Sequence, residues 1–97
     1  ITFNDPELYN KMLPSLERAI GQQNVNFMDA VTGAEDFSYF QEKVPGLYFF
    51  IGGTKIGEDP KLAAPHHTPD FYVDDSSMLT GLKSMTTLTL DYLNNNK

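Results

Sequence analysis

The 97-residue sequence has no cysteine, few basic residues and no long hydrophobic run. Without cysteine it can form no disulfide, no thiolate zinc site and no cysteine nucleophile. Its 7 basic and 13 acidic side chains give a net charge of −6, which argues against nucleic-acid binding because phosphate recognition requires clusters of Lys and Arg. The longest apolar run, at residues 47–51, is far shorter than the about 20 residues that a membrane-spanning helix needs. We therefore expect no nucleic-acid and no membrane partner.

The sequence does contain start and stop signals typical of helices, and the first predicted helix covers residues 6–20. Asp5 or Asn4 is a suitable N-cap, Pro6 suits the first helical position, and Gly21 stands where a left-handed C-cap glycine belongs. Pro14 interrupts the helix, and we expect a kink there because proline removes one backbone hydrogen bond. Apolar residues recur at helical spacing and predict one buried stripe. They are Leu8, Met12, Leu16, Ala19 and Ile20.

Two further helices are predicted. One runs over residues 32–43, because Thr32 and Glu35 have the spacing of a capping box. The other runs over residues 76–93, capped by Asp75 or Ser76, with Gly81 marking a close contact. Its inner stripe is predicted to comprise Met78, Leu82, Met85, Thr89 and Tyr92.

Extended segments separate these helices. Residues 24–28 alternate between polar and apolar side chains, and the apolar run at 47–51 predicts a strand buried on both faces. The order helix, strand, helix, strand, long loop, helix indicates the α/β class. Residues 52–74 form the long loop, and loops of that length in compact domains are usually functional. This loop leaves the carboxyl end of a buried strand, where open α/β sheets bind ligands.

Two clusters could carry chemistry. His66 and His67 are adjacent in the loop, and imidazole is a common ligand of zinc and similar metals. In an extended segment they would point in opposite directions, so at most one is a good ligand; both could equally be surface residues. A metal site needs three or four ligands, so this one is expected to be incomplete. The second cluster is Glu35 and Asp36, which could be paired carboxylates, although the capping box alone would explain Glu35.

The glycine pair at the end of the apolar run has two interpretations. Gly52 and Gly53 could let a ligand approach the backbone closely, since glycine has no side chain. A turn that ends the strand explains them equally well.

Three motifs in order carry a resemblance to a known family. They are GAEDFSY at residues 33–39, VPGLYFFIG at 44–52 and HTPDF at 67–71, followed by Asp74 and Asp75. This pattern resembles the C-terminal segment of the metal-dependent amidohydrolase and carboxypeptidase family, which includes hippurate hydrolases, N-acyl-amino-acid amidohydrolases and auxin-conjugate hydrolases. The resemblance covers nearly the whole chain.

The resemblance implies a fold and a set of missing parts. Residues 1–97 would form the C-terminal part of a three-layer α/β catalytic domain of the zinc-peptidase type. The N-terminal catalytic part and an inserted lid and dimerisation domain would lie elsewhere. The expected partners are the remainder of the catalytic domain and a second copy that pairs through the lid domain. We expect a cytoplasmic location.

The resemblance also implies site residues and a reaction. His67 maps onto the last metal ligand of the family, with His66 as the alternative. Glu35, with Asp36, Gly52 and Gly53, would lie beside the metal ligands or the substrate. Two divalent ions, of zinc, manganese or cobalt, would support hydrolysis of the amide bond of an N-acyl amino acid or small peptide. The chain alone is expected to be inactive. The alternative is a non-catalytic binding or assembly module that keeps the fold.

Overall fold

The computed structural model describes residues 1–95, whose regular structure is helical. Helix α1 spans Pro6–Ile20, α2 spans Phe37–Gln41, and α3 spans Ser76–Asn95. Two short 3₁₀ helices lie at Gln22–Asn24 and Pro60–Leu62. The first and last helices, α1 and α3, pack against each other and form the centre of the fold. The last two residues of the predicted 1–97 unit lie outside the described residues.

The predicted bounds of α1 are confirmed, and local hydrogen bonds explain them. The side chain of Asp5 accepts a hydrogen bond of 2.8 Å from the backbone N–H of Leu8, as an N-cap does. Gly21 ends the helix by donating its N–H to Glu17 O, at 2.8 Å. Its φ of 91° is positive, but its ψ of 136° is not that of a left-handed helical cap. The helix continues through Pro14.

The contact between α1 and α3 is the core of the described residues. Met12 and Leu16, from the predicted stripe of α1, are 3% and 8% exposed. Ser15 and Ser84 are also buried, and Ser84 is only 1% exposed. These small side chains allow the two helices to approach closely. The interface is therefore built from two large apolar side chains and one serine of α1, and from one serine of α3.

The predicted inner stripe of α3 is wrong. Its methionines lie on the solvent-exposed face, with Met78 65% exposed and Met85 56% exposed. The other predicted members, Leu82, Thr89 and Tyr92, are exposed as well. Apolar spacing identified a stripe, but the close approach of α1 favours the face that carries Ser84.

No strand occurs within residues 1–95, so the α/β order is not confirmed. The segments 24–28 and 47–51 exchange no ladder of backbone hydrogen bonds with another segment of the described chain. Instead, the side chain of Asn4 pairs with the backbone of Tyr48, donating to its carbonyl at 2.8 Å and accepting from its N–H at 2.7 Å. A strand needs a neighbouring backbone, and here one side-chain amide takes that position.

The segment 47–51 is nevertheless tied to the start of α1 through the residue before it, and it lies against α3. Asp5 N, just before α1, donates to Gly46 O at 3.2 Å. At the other end, a Cβ on Gly81 of α3 would lie 3.1 Å from Ile51 Cδ1. The close contact predicted at Gly81 is therefore present.

None of the helices within residues 1–95 is long and apolar enough to cross a membrane. The cytoplasmic location stays a prediction.

Candidate functional site

The two ends of the long loop at residues 52–74 are joined to each other. Asp74 N donates to Gly53 O at 2.8 Å, and a Cβ on Gly53 would lie 3.1 Å from Val73 Cγ1. The carboxylate of Asp74 also accepts hydrogen bonds from the hydroxyl and the backbone N–H of Ser76, which starts α3. These bonds, the one from the hydroxyl above all, and the positive charge of Lys55 lower the pKa of Asp74 despite some desolvation. Asp74, one residue before the predicted caps, therefore ties the loop to α3.

The two histidines lie in a turn rather than in the expected extended segment. His67 has a φ of 64°, and it is the one residue other than glycine with a positive φ in the described part of the chain. Histidine tolerates this conformation better than most residues, at a cost of about 1–2 kcal/mol. The His66 ring makes an edge contact with Phe71 at 4.8 Å between centroids, and lies 6.5 Å from the His67 ring. Both histidines are exposed.

Glu35 makes hydrogen bonds that differ from those of the predicted capping box. Helix α2 begins at Phe37, so the predicted start at residue 32 is wrong. One oxygen of Glu35 accepts from Phe37 N at 3.2 Å, and the other accepts from the Tyr48 hydroxyl at 3.0 Å. The hydrogen bond to Glu35 is the main cause of the raised pKa of Tyr48, with desolvation and the negative charge of Glu35 adding to it. Asp36 is exposed, and its side chain does not cap α2.

One cavity of about 850 Å³ brings most of the predicted site residues together. Tyr48 also lines it, as does Ser84 of α3. A Cβ on Gly52 would meet no atom within 4 Å, so its backbone lies open. The predicted residues that line this cavity are Glu35, Gly52, His66 and His67. Asp36 and Gly53 do not line it.

The donors at this cavity fit a metal in kind but not in number. Imidazoles and a carboxylate are the ligands that zinc and related ions take. Within residues 1–95, no group of three or more His, Asp or Glu side chains is arranged to hold a metal ion. A metal bound at this cavity would therefore need ligands from outside these residues.

Sequence reasoning missed Tyr48, whose hydroxyl holds Glu35, and Asn4, which pairs with the Tyr48 backbone. The interpretation of the 47–51 run as core overlooked the phenolic hydroxyl. A single tyrosine in an otherwise hydrocarbon run has a polar group that needs a partner when it is partly buried. That was the available signal for Tyr48. For Asn4 the sequence offered no comparable signal.

The sequence profile of peptidase family M20/M25/M40 matches residues 1–91. The chain belongs to this family. The match confirms the resemblance drawn from the GAEDFSY, VPGLYFFIG and HTPDF motifs. No solved structure shows significant similarity to the chain.

Several proteins similar to the chain have hydrolase names. The chain is 33% identical to thermostable carboxypeptidase 2 of Saccharolobus solfataricus over 97% of its own length and 23% of the relative. It is 30% identical to YhaA, a candidate amidohydrolase of Bacillus subtilis, over 92% of the chain and 22% of the relative. It is 27% identical to IAA-amino acid hydrolase ILR1-like 6 of Arabidopsis thaliana, over 96% and 20%. The chain thus spans about a fifth of the length of these curated relatives.

Proposed function

We propose that this chain contributes one metal ligand and one substrate-side carboxylate to a metal-dependent hydrolase. The reaction would be cleavage of the amide bond of an N-acyl amino acid or small peptide. The observation that carries this proposal is that His67 and Glu35 line one cavity in a chain of the M20/M25/M40 family. Relatives named carboxypeptidase and IAA-amino acid hydrolase support this bond type.

His67 is the proposed ligand, with His66 as the alternative. His67 is exposed at the cavity, and its left-handed backbone is the kind of strained conformation that clusters at functional sites. His67 would help to hold a divalent ion of zinc, manganese or cobalt, which would supply polarisation of the scissile carbonyl and a lowered pKa of water. Glu35 would accept a hydrogen bond from the substrate, while Gly52 leaves its backbone open for close approach. Asp36 and Gly53 do not line the cavity, so they would act only through their neighbours Glu35 and Gly52.

The remainder of the same protein would supply what these residues lack. A second metal, the other ligands and a general base for proton transfer would come from the other part of the catalytic domain. Its neighbouring strands would pair with the segment 47–51, and a lid domain would form the homodimer. We propose that the 97 residues alone are inactive, because one or two histidines cannot hold a metal in a fixed geometry.

The test is replacement of His67 in the full-length protein. We expect His67→Ala to lose one equivalent of bound metal, measured by elemental analysis, together with turnover of N-acyl amino acids. His66→Ala is the matched comparison, and loss of metal in that variant alone would transfer the ligand assignment to His66. Unchanged metal content and turnover in both variants would remove this loop from the site. A full-length protein that binds no metal would favour the non-catalytic module.

A further inference from the structure

Tyr48 is held in place by contacts at both its backbone and its ring. Asn4 pairs with its backbone N–H and carbonyl, at 2.7 and 2.8 Å. Its ring packs against Phe37 at 5.8 Å and makes an edge contact with Phe50 at 5.5 Å between centroids. With the backbone paired and the ring packed on two sides, the phenolic oxygen has little freedom to move.

That fixed hydroxyl is one of two donors that orient the carboxylate of Glu35. Tyr48 donates to one carboxylate oxygen at 3.0 Å, and Phe37 N donates to the other at 3.2 Å. The donors belong to different segments, the apolar run and the start of α2. A carboxylate held at both oxygens cannot rotate freely, whereas one held by a single hydrogen bond can. Each carboxylate oxygen can accept a further hydrogen bond, so Glu35 keeps capacity for a substrate donor.

We propose that Tyr48 is a positioning residue that holds the Glu35 carboxylate at the cavity shared with His67. Tyr48 acts through Glu35 and need not touch the substrate. This inference rests on the proposed function, because Glu35 matters for the reaction only if the cavity binds substrate.

The Tyr48 hydroxyl has to stay protonated if it is to orient the Glu35 carboxylate. A phenol can orient a carboxylate only while it carries its proton, since a phenolate beside Glu35 would repel it. The hydrogen bond to Glu35 raises the pKa of Tyr48 from its usual value of 10.0, so the hydroxyl stays a donor at neutral and mildly alkaline pH. A phenylalanine at this position would keep the ring contacts and remove only the donor.

The experiment is a double-mutant cycle in the full-length protein with its metal bound. The variants are Tyr48→Phe, Glu35→Gln and the two combined, and the readout is kcat/KM for an N-acyl amino acid. Losing a hydrogen bond to a charged group predicts a loss of about tenfold for Tyr48→Phe. The matched control is Tyr39→Phe on α2, whose side chain is 68% exposed and whose replacement should leave kcat/KM unchanged. In the Glu35→Gln background, Tyr48→Phe should cause little further loss, because it acts through Glu35.

A second readout follows the Tyr48 proton directly. NMR titration of tyrosine ring carbons, with Tyr48 assigned by its absence in Tyr48→Phe, should give a pKa above 10.0 that falls in Glu35→Gln. A Tyr48 pKa unaffected by Glu35→Gln would overturn the proposal. Equal losses of kcat/KM from Tyr48→Phe with and without Glu35 would also overturn it, because they would show a merely structural effect.

The two readouts separate this inference from the proposed function. If the full-length protein hydrolysed no N-acyl amino acid or peptide, the proposed function would fail, and the positioning role in catalysis would fail with it. The titration would still decide whether Tyr48 holds Glu35. If hydrolysis were present but Tyr48→Phe retained full kcat/KM, only the positioning role would be lost.

Discussion

The pairing of α1 with α3 predicts that two methionines at comparable helical positions differ sharply in their importance for stability. Met12 lies in α1 and is 3% exposed, whereas Met85 lies in α3 and is 56% exposed. Both stand inside a helix, so the change in helix propensity on replacement by alanine is the same. A comparison of Met12→Ala with Met85→Ala therefore isolates the effect of burial.

The magnitudes follow from the exposed fractions. Truncation of a buried methionine to alanine costs about 2–5 kcal/mol, through lost transfer free energy and the cavity left behind. Met12 faces only a two-helix contact that can partly collapse, so we expect about 2–3 kcal/mol in the free energy of unfolding. Met85 has less than half of its surface to lose, and we expect about 0.5–1 kcal/mol.

Urea unfolding followed by helical circular dichroism is the assay. It should be run at several protein concentrations, so that association is separated from folding, and the slopes m should agree between variants. A Met12→Ala chain that has already lost its helical signal without urea also meets the expectation. Equal losses in the two variants, or a larger loss in Met85→Ala, would refute the reasoning. That outcome would mean that α3 turns its methionine stripe toward α1, as apolar spacing alone predicts.

Two further predictions concern the start of α1 and its ion pair with α3. Asp5→Ala removes the acceptor for Leu8 N, and we expect it to cost about 1 kcal/mol of unfolding free energy by urea titration, whereas Asp5→Asn should retain most of the stability. Hydrogen bonds from Ser15 and Arg18 lower the pKa of Asp91 in the folded chain. The ionised carboxylate therefore contributes its full stabilisation at pH values above the usual pKa of about 3.8, and this is lost as the pH falls through the lower pKa of the folded state. Acid titration should therefore destabilise the wild type more steeply than Asp91→Asn, and parallel curves would contradict this.

Local sequence was sufficient for the ends of α1 and for the position of α3. Asp5 and Gly21 act on the backbone within a few residues of themselves, through bonds to Leu8 and Glu17. Such interactions depend little on the rest of the chain, so the residue types predict them well. The same reasoning failed at residue 32, because the carboxylate of Glu35 makes a bond to Tyr48 instead of closing a capping box. A partner 13 positions away overrode a local pattern.

The family could also be predicted from sequence, because its motifs are short runs of consecutive residues. The match over residues 1–91 confirms that prediction. The apolar run at 47–51 was interpreted as a strand, and its composition suits one, but a strand exists only with a neighbouring backbone. Within residues 1–95 the Asn4 side chain takes the place of that neighbour. Strand formation was thus beyond what residue types could decide.

Residue types alone indicated which side chains could do chemistry: two histidines, Glu35, Asp36 and a glycine pair, with no cysteine and no basic cluster. Packing selected which of these residues line the same cavity. It brought His67 and Glu35 to one cavity, left Asp36 outside it, and placed the Tyr48 hydroxyl against Glu35. The donor and acceptor groups of a side chain follow from its residue type. Which side chains lie close together depends on how segments far apart in sequence pack against each other.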